Sequence, residues 1–450
     1  MSSISNKSLL KINNKIIGLN KRALSIKNSP QNVSVSVLSA TSAKLTWTNV
    51  GNQGDGIRVY SSTDGINYSQ VGSNLPVGTT SYTHNSIDTG SNRYWYVIYF
   101  KGTKEGAPSS IVQLDWFTME CTTTGAETLT LTNVDCVAGD GITIFWGDGN
   151  SNSYTSTYNG NLKSHTYSGA GTWTVKIANP LNISYIEFRD SKLTNFNTNQ
   201  FLKCGNNLTG IYLDNLGAGR TINSSDLAHL KLTSTLHLFY YQPGVYNINS
   251  QHFQNYTLTN LLYLYFDEIG TYNINSQHFQ NYAITDSCVL YFSKSGTYNI
   301  NSQHFQNYMV SNSLVLHFSQ SGTYNINTSH FKNYTVGEYH LFFNTTDLIK
   351  TISRNDFATL YRVILYLITM GLTQSEINNI LLGIYDAFPL KTNTGGFINL
   401  SDSSNAAPSG TYQAACPPTS GKEACYELLN DSCNVSSKHW STISVVGGLP

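Results

Sequence analysis

The phrase Tyr246-Asn247-Ile248-Asn249-Ser250-Gln251-His252-Phe253-Gln254-Asn255-Tyr256 recurs from Tyr272 and from Tyr298, and a variant of it starts at Tyr324. Each step is 26 residues. Weaker copies keep the phase in both directions. Ile248 is matched by Phe196, Ile222, Ile326 and Ile352, and Phe253 by Phe201, Leu227, Phe331 and Phe357. Seven registers result, anchored at 196, 222, 248, 274, 300, 326 and 352, with no insertion or deletion between them. A strict period of this length restricts the chain to architectures made by stacking one supersecondary unit. A single unit cannot hide its own apolar side, so each must lie on the next.

Within a period, Leu262-Tyr263-Leu264-Tyr265-Phe266, Cys288-Val289-Leu290-Tyr291-Phe292 and Leu314-Val315-Leu316-His317-Phe318 alternate with period two, which predicts strands with one buried face. Gly270, Gly296 and Gly322 follow as turns. Asn-Ser then reads as a helix start, and Gln-His-Phe-Gln-Asn-Tyr as about two helical turns. The expected unit is strand, turn, short helix and return. The whole is expected to be a seven-coil, 26-residue-repeat α/β solenoid over residues 181–370. A β-helix with three strands per coil is the alternative. This region resembles leucine-rich-repeat-like solenoids of surface proteins and phage appendages, although the L-x-x-L-x-L spacing of that family is absent.

Upstream, two further modules are expected. Residues 30–115 alternate through Val33/Val35/Val37, Ala43–Trp47, Ile57–Tyr60 and Tyr94–Ile98, with a turn at Asp64-Gly65. Trp47 and Tyr94-x-Tyr96-x-Ile98 resemble the core tryptophan and penultimate strand of fibronectin type III domains. That implies a β-sandwich spacer or binding module. Residues 116–180 carry Trp146-Gly147-Asp148-Gly149, His165-x-Tyr167 and Gly171-Thr172-Trp173-x-Val175, which resemble PKD-type immunoglobulin-like domains. Asp148 is read as a carboxylate capping its own turn. Residues 1–29 alternate short apolar pieces with Asn13-Asn14 and Gly18 and read as a small meander that must dock on something else. Its Lys and Arg residues flank no unbroken apolar stretch, so no secretory leader is expected.

Residues 371–450 are expected to cap the open end of the repeat. Thr373-x-x-Glu376 is a capping box, opening a helix with Ile377, Ile380, Leu381 and Ile384 on one face. A strand around Phe397–Leu400, the turn Asn405-Ala406-Ala407-Pro408, a helix around Glu423–Leu429 and a last strand after Trp440 follow. This order is similar to the end segments of repeat proteins from phages of Bacteroidetes.

Charge excludes one class of partner. Lys+Arg and Asp+Glu are 26 each in 450 residues, so the basic excess of a nucleic-acid binder is missing. The longest apolar runs are too short to cross a membrane as a helix. The seven cysteines form no CxxC or Cys/His spacing typical of zinc; Cys121/Cys136 and the trio Cys416, Cys425, Cys433 are open to pairing. No hydrolase, metalloprotease, P-loop or dinucleotide motif occurs. The acids of the repeat zone, Asp267, Glu268, Asp286, Glu338, Asp347 and Asp356, recur at no fixed position, so the paired carboxylates of a glycan depolymerase are not indicated. Neither a cofactor nor a metal is expected.

The expected binding feature is an exposed stripe along the repeat formed by Tyr246, His252, Tyr272, His278, Tyr298, His304, Tyr324 and His330, with Asn247/Asn273/Asn299/Asn325 stacked as a ladder. Four aligned histidines without carboxylate or cysteine partners read as scaffold or contact surface ahead of a metal site. Taken together, the modules resemble tail or head fibre proteins of Bacteroidetes-infecting, crAss-like phages. The resemblance implies a structural, non-enzymatic virion protein on the particle surface, held to other virion proteins through residues 1–29, forming a symmetric oligomer and attaching to a host-surface glycan or protein. A bacterial cell-surface adhesin and a capsule depolymerase are the alternatives.

Overall fold

The computed structural model describes residues 28–137, 140–155, 162–228, 230–240, 244–253, 257–266, 271–275, 283–292, 297–301, 309–318, 323–327, 335–344, 348–351, 354, 363–368, 371–386, 397–433, 440 and 442–449. The expected anchor at residues 1–29 lies almost wholly outside them. The fold is mainly β. No helix among the described residues is long and apolar enough to cross a membrane. The chain divides into two compact units: Met1–Thr118, Ala138–Ser156 and Thr174–Asn182 form one, and Met119–Val137, Thr157–Trp173 and Ile183–Pro450 the other. The segment 116–180 therefore contributes to both.

In the first unit, strands Gln31–Ser39, Ser42–Thr48 and Ser81–Asn85 make one sheet. Strands Ser69–Leu75, Gly56–Ser62, Tyr94–Lys101 and Lys104–Pro108 make the facing one, in that order. Val112–Gln113 pairs with Tyr94–Lys101 as a fifth strand of that sheet, and the two sheets form the fibronectin type III-like sandwich. Trp47 is buried in its core as expected. The penultimate strand, however, turns Trp95, Val97 and Tyr99 inward and leaves Tyr94 and Tyr96 half-exposed. Both alternating sets of this strand are rich in aromatic and aliphatic residues, and Ile98 of the other set is buried as well.

The sandwich core does not stop at its own end: Ala178 belongs to it and Phe145 packs against it. Asn179 adds a rung, accepting the Val37 N–H at 2.7 Å and donating to the Val37 carbonyl at 2.7 Å. Lys176 Nζ donates to the Gly90 carbonyl at 2.6 Å and lies over the Trp116 ring. At Trp146-Gly147-Asp148-Gly149, Asp148 accepts the Asn150 N–H at 3.0 Å as a turn cap. Gly147 holds φ +92° with the Thr174 backbone so close that any Cβ would collide.

The second unit is dominated by two parallel ladders. In the longer sheet Asn133–Cys136 runs antiparallel to Ile183–Phe188. The strands Gly210–Leu213, Thr235–Tyr240, Leu261–Phe266, Ser287–Phe292, Met309–Phe318, Thr335–Asn344 and Val363–Ile368 then follow in parallel. Leu236 faces Leu262, which faces Cys288, keeping the 26-residue step of the sequence. The buried column Phe188, Leu213, Leu238, Leu264, Leu290 lies beside the buried column Ile186, Ile211, Leu236, Leu262, Cys288. Each such side chain, hidden by the strands on either side of it, contributes about 2 kcal/mol of apolar burial.

The second sheet stacks Arg220–Asn223, Gly244–Asn249, Thr271–Asn275, Thr297–Asn301, Thr323–Asn327 and Leu348–Thr351 in parallel. Its register slips by two residues per step. Ile222 faces Tyr246, and Ile248 faces Tyr272, a separation of 24 residues instead of 26. The Asn ladder is therefore not built from equivalent repeat positions: Asn249 faces Asn273, Asn275 faces Asn299 and Asn301 faces Asn325. Where side chains are described, the slip is also seen in the Asn247 amide, which donates to Asn223 Oδ1 at 2.8 Å.

The expected two-turn helix after Asn-Ser is not found among the described residues. Ser224–Asp226 and Ser250–Phe253 are short 3-10 turns, and the return carries the small parallel strands Thr257–Leu258 and Ala283–Ile284. Phe253 and Leu227 are buried, so the apolar anchor of the pattern holds although its local structure is tighter. This geometry of strands on several sides is nearer the β-helical alternative than the α/β coil.

The cap follows the expected order. Helix Gln374–Asp386 opens with Thr373 and Glu376 as a reciprocal capping box, the Thr373 N–H donating to Glu376 Oε2 at 2.8 Å, and Ile377, Ile380, Leu381 and Ile384 are buried. Strand Phe397–Leu400 extends the longer sheet in parallel and Thr442–Val445 extends it again. Asn405 ties the turn to the ladder: its Nδ2 donates to the Leu367 carbonyl at 2.7 Å and its Oδ1 accepts the Leu372 N–H at 3.0 Å.

Candidate functional site

The sequence-predicted stripe does not assemble as an exposed face where it is described. Tyr246 is 1% exposed and points between the sheets with Ile248. This follows from alternation along Gly244–Asn249, which sends Tyr246 and Ile248 to the same side. His252 is half-buried in a 3-10 turn, its Nδ1 2.9 Å from Ser224 Oγ, and burial lowers its pKa, so it is a neutral turn partner. Tyr272, Tyr298 and Tyr324 occupy strands of the second sheet, each facing the Ile of the preceding strand. His278, His304 and His330 lie outside the described residues.

A different set of aromatics comes together on the outer face of the longer sheet. Its strands send Leu inward at alternate positions, and the residues between those Leu positions point away from the core. Two columns result. One runs through Glu187, Tyr212, His237, Tyr263, Val289 and Val315; the other runs through Phe239, Tyr265, Tyr291 and His317. In the first, ring centroids lie 3.6 Å apart for Tyr212–His237 and 4.8 Å for His237–Tyr263, nearly parallel. In the second, the spacings are 4.8 Å for Phe239–Tyr265, 4.3 Å for Tyr265–Tyr291 and 3.9 Å for Tyr291–His317. These spacings follow the interstrand distance of about 4.8 Å, so the backbone itself enforces the stacking.

The electrostatics of this face are muted. Arg189 lies 4.1 Å over the Tyr212 ring and pairs with Glu187 at 2.6 Å, so the two charges at this end neutralise each other. Burial pushes the pKa of His237 down to about 3, with the Arg189 charge adding to the effect, and burial takes His317 down to about 4. Both imidazoles are neutral at physiological pH. His237 is 4% exposed, and neither ring nitrogen has a hydrogen-bond partner. Burial also raises the phenols of Tyr212 and Tyr263, which stay protonated. Ring faces are occupied by neighbouring rings. What remains is ring edges and phenolic hydroxyls, suited to apolar contact and hydrogen bonding with an uncharged ligand. A single sequence signal pointed here: Tyr263, Tyr265 and Tyr291 are the polar-capable members of the alternating runs, read in the sequence only as the unburied half of a strand.

Among the described residues, one other cluster collects potential ligand atoms. Cys416, Cys433 and Glu427 converge in the cap, but the two sulfurs are joined in a disulfide. Cys121, Cys136, Cys204, Cys288 and Cys425 are buried thiols outside that disulfide.

No family model and no curated protein matches the chain. Solved structures similar to part of it include fibronectin type III modules. A Fn3-like protein from Clostridium thermocellum is 25% identical, over 19% of this chain and 88% of its own, with a TM-score of 0.17. A two-domain fibronectin type III segment from chicken tenascin is 14% identical, over 33% of this chain and 89% of its own, with a TM-score of 0.17. The first module is fibronectin type III-like by its strand order.

Proposed function

We propose that this chain is a structural, non-enzymatic fibre protein of a bacteriophage virion, of the tail or the head. Residues 1–29 attach it to other virion proteins, and the sandwiches space a seven-coil solenoid away from the particle. The solenoid presents the outer face of its longer sheet to a host-surface glycan. The observation that carries the adhesive part is the double aromatic column Tyr212–His237–Tyr263 and Phe239–Tyr265–Tyr291–His317. It is a regular run of stacked rings, His237 buried and the others half-buried, whose exposed atoms are ring edges and hydroxyls. Rigid aromatics supply contact area at small entropic cost. The Cys416–Cys433 disulfide supports an oxidising, extracellular setting.

Two measurements test the reading. Purified particles of the phage that encodes the chain are expected to contain it, and truncation of residues 1–29 to abolish its incorporation. The soluble chain is expected to bind host cells or their capsular glycan, with a Tyr263→Ser/Tyr291→Ser variant at least tenfold weaker while its far-ultraviolet circular dichroism is unchanged. Absence from particles together with presence on a bacterial surface would favour a cellular adhesin, and release of reducing ends from capsule a depolymerase.

A further inference from the structure

The C-terminal helix of the cap contains a fully buried carboxylate, Glu427. It sits on Gly421–Asn430, whose start is set by a capping box between Ser420 and Glu423. Its two oxygens take three donors. Oε1 accepts the Ala415 N–H at 3.1 Å and the Ser432 hydroxyl in a very short contact. Oε2 accepts the Cys433 N–H at 2.9 Å. All three donors come from the two backbone stretches that the Cys416–Cys433 disulfide clamps together, with a Cα–Cα separation of 5.5 Å. Ala415 precedes one cysteine, Ser432 precedes the other, and the third donor is Cys433 itself.

A buried carboxylate is tolerated only while hydrogen bonds replace its lost water. Here the bond that supplies those donors is covalent and redox-sensitive. We propose that the Cys416–Cys433 disulfide is a redox clasp for the solenoid cap: oxidation seats the donors on Glu427 and closes the cap, and reduction withdraws them and opens it. The consequence is one of timing. A chain made in a reducing compartment keeps a loose cap, and the cap locks after exposure to an oxidant outside.

The chemistry is thiol–disulfide exchange with a small-molecule disulfide. The thiolate of one cysteine attacks a sulfur of that disulfide, giving a mixed disulfide and releasing one thiol. The thiolate of the other cysteine attacks the protein sulfur of the mixed disulfide and expels the second thiol. Two electrons pass from the cysteine pair to the small disulfide, and the two cysteine protons end on the released thiols. Excess small-molecule dithiol runs the sequence backwards. Cys425, on the same helix, does not compete: it is buried, and burial holds its thiol up at about 12.

The test uses the full chain, oxidised or pretreated with dithiothreitol, under limited trypsin digestion with mass-spectrometric mapping. Lys422 in the clasped helix is the reporter, and Lys44 and Lys104 in the first sandwich are the controls. Reduction is expected to speed cleavage at Lys422 at least tenfold and leave the controls unchanged; a Cys416→Ser/Cys433→Ser chain is expected to behave as the reduced protein does. Glu427→Gln separates the clasp from a simple cross-link. A glutamine has a single acceptor oxygen and cannot take three donors, so in that variant the oxidised cap is already loose and reduction changes Lys422 cleavage less than threefold. Unchanged cleavage on reduction of the parent chain overturns the proposal, as does an equal effect of reduction in the parent and the Glu427→Gln chain.

Discussion

Replacing Leu264 by alanine probes the stacking of the ladder at a point where inside and outside are a residue apart. Leu264 is fully buried between Leu238 and Leu290, which face it from the strands on either side. Truncation removes the side chain's apolar burial, about 2 kcal/mol. It also leaves a cavity that parallel strands, pinned by hydrogen bonds on both sides, cannot collapse into. Leu→Ala substitutions of this kind cost about 3–5 kcal/mol in total. The neighbouring Tyr265→Ala removes a half-buried ring stacked closely on Phe239 and Tyr291, with Tyr263 further off at 6.4 Å. At ~0.5–1.5 kcal/mol per close aromatic contact and about 1 kcal/mol for burial of the half-buried ring, its cost is about 2–4 kcal/mol. Urea unfolding followed by circular dichroism gives both values from the shift in midpoint at constant slope. Leu264→Ala is expected to cost more than Tyr265→Ala. The reverse order, or a cost for Leu264→Ala below about 1 kcal/mol, would refute the assignment of the Leu columns to the interior.

Three further outcomes follow from single contacts. Burial and Arg189 hold the His237 pKa near 3, below the ~6.5 of an unfolded histidine, so the unfolded chain takes up the proton first. The contribution is intact above about pH 6.5 and is lost as pH falls from there towards 3, and His237→Phe is expected to flatten this acid loss in urea midpoints measured across that range; an unchanged profile contradicts it. Gly383→Ala in helix Gln374–Asp386 is expected to lower the melting temperature, although glycine to alanine in a helix ordinarily gains about 1 kcal/mol, because the new Cβ would stand 2.0 Å from the Arg354 carbonyl oxygen; a raised melting temperature contradicts it. Asn405→Ala is expected to cost about 2–3 kcal/mol and to speed exchange of the Leu372 amide, which loses its acceptor; unchanged protection would show that the turn is held otherwise.

Much of the second unit is readable from spacing. The 26-residue period, the strand alternation and the inward Leu positions are local or periodic properties, and the longer sheet keeps them in register. The capping box at Thr373 and the buried face of its helix are likewise set by residues three and four apart. What spacing does not contain is which residues of neighbouring coils come face to face. Identical phrases invite the inference that Tyr246 and Tyr272 stack, yet the second sheet slips by two residues and sets Tyr272 opposite Ile248. The same limit hid the aromatic columns. Tyr265 and Tyr291 share a place in the 26-residue runs, but Tyr212 and His237 are 25 residues apart in strands outside the exact repeat, and only the ladder shows that all of these rings stack. In the first sandwich, Tyr94 and Trp95 both suit a core, and which turned inward was decided by the facing sheet. The buried Glu427 was invisible because its donors are supplied by a disulfide that cysteine counting leaves open.

Successive repeats lie directly on one another in the longer sheet. Thr233 and Thr285 are exposed and stand two coils apart, with Thr259 between them donating to the Thr233 carbonyl and Thr285 following the next strand. Spin labels on Thr233→Cys and Thr285→Cys report their separation through dipolar broadening in frozen solution. Two interstrand steps predict about 10 Å between the backbones, and hence strong broadening. A spectrum identical to the sum of the singly labelled chains would contradict the stacked ladder.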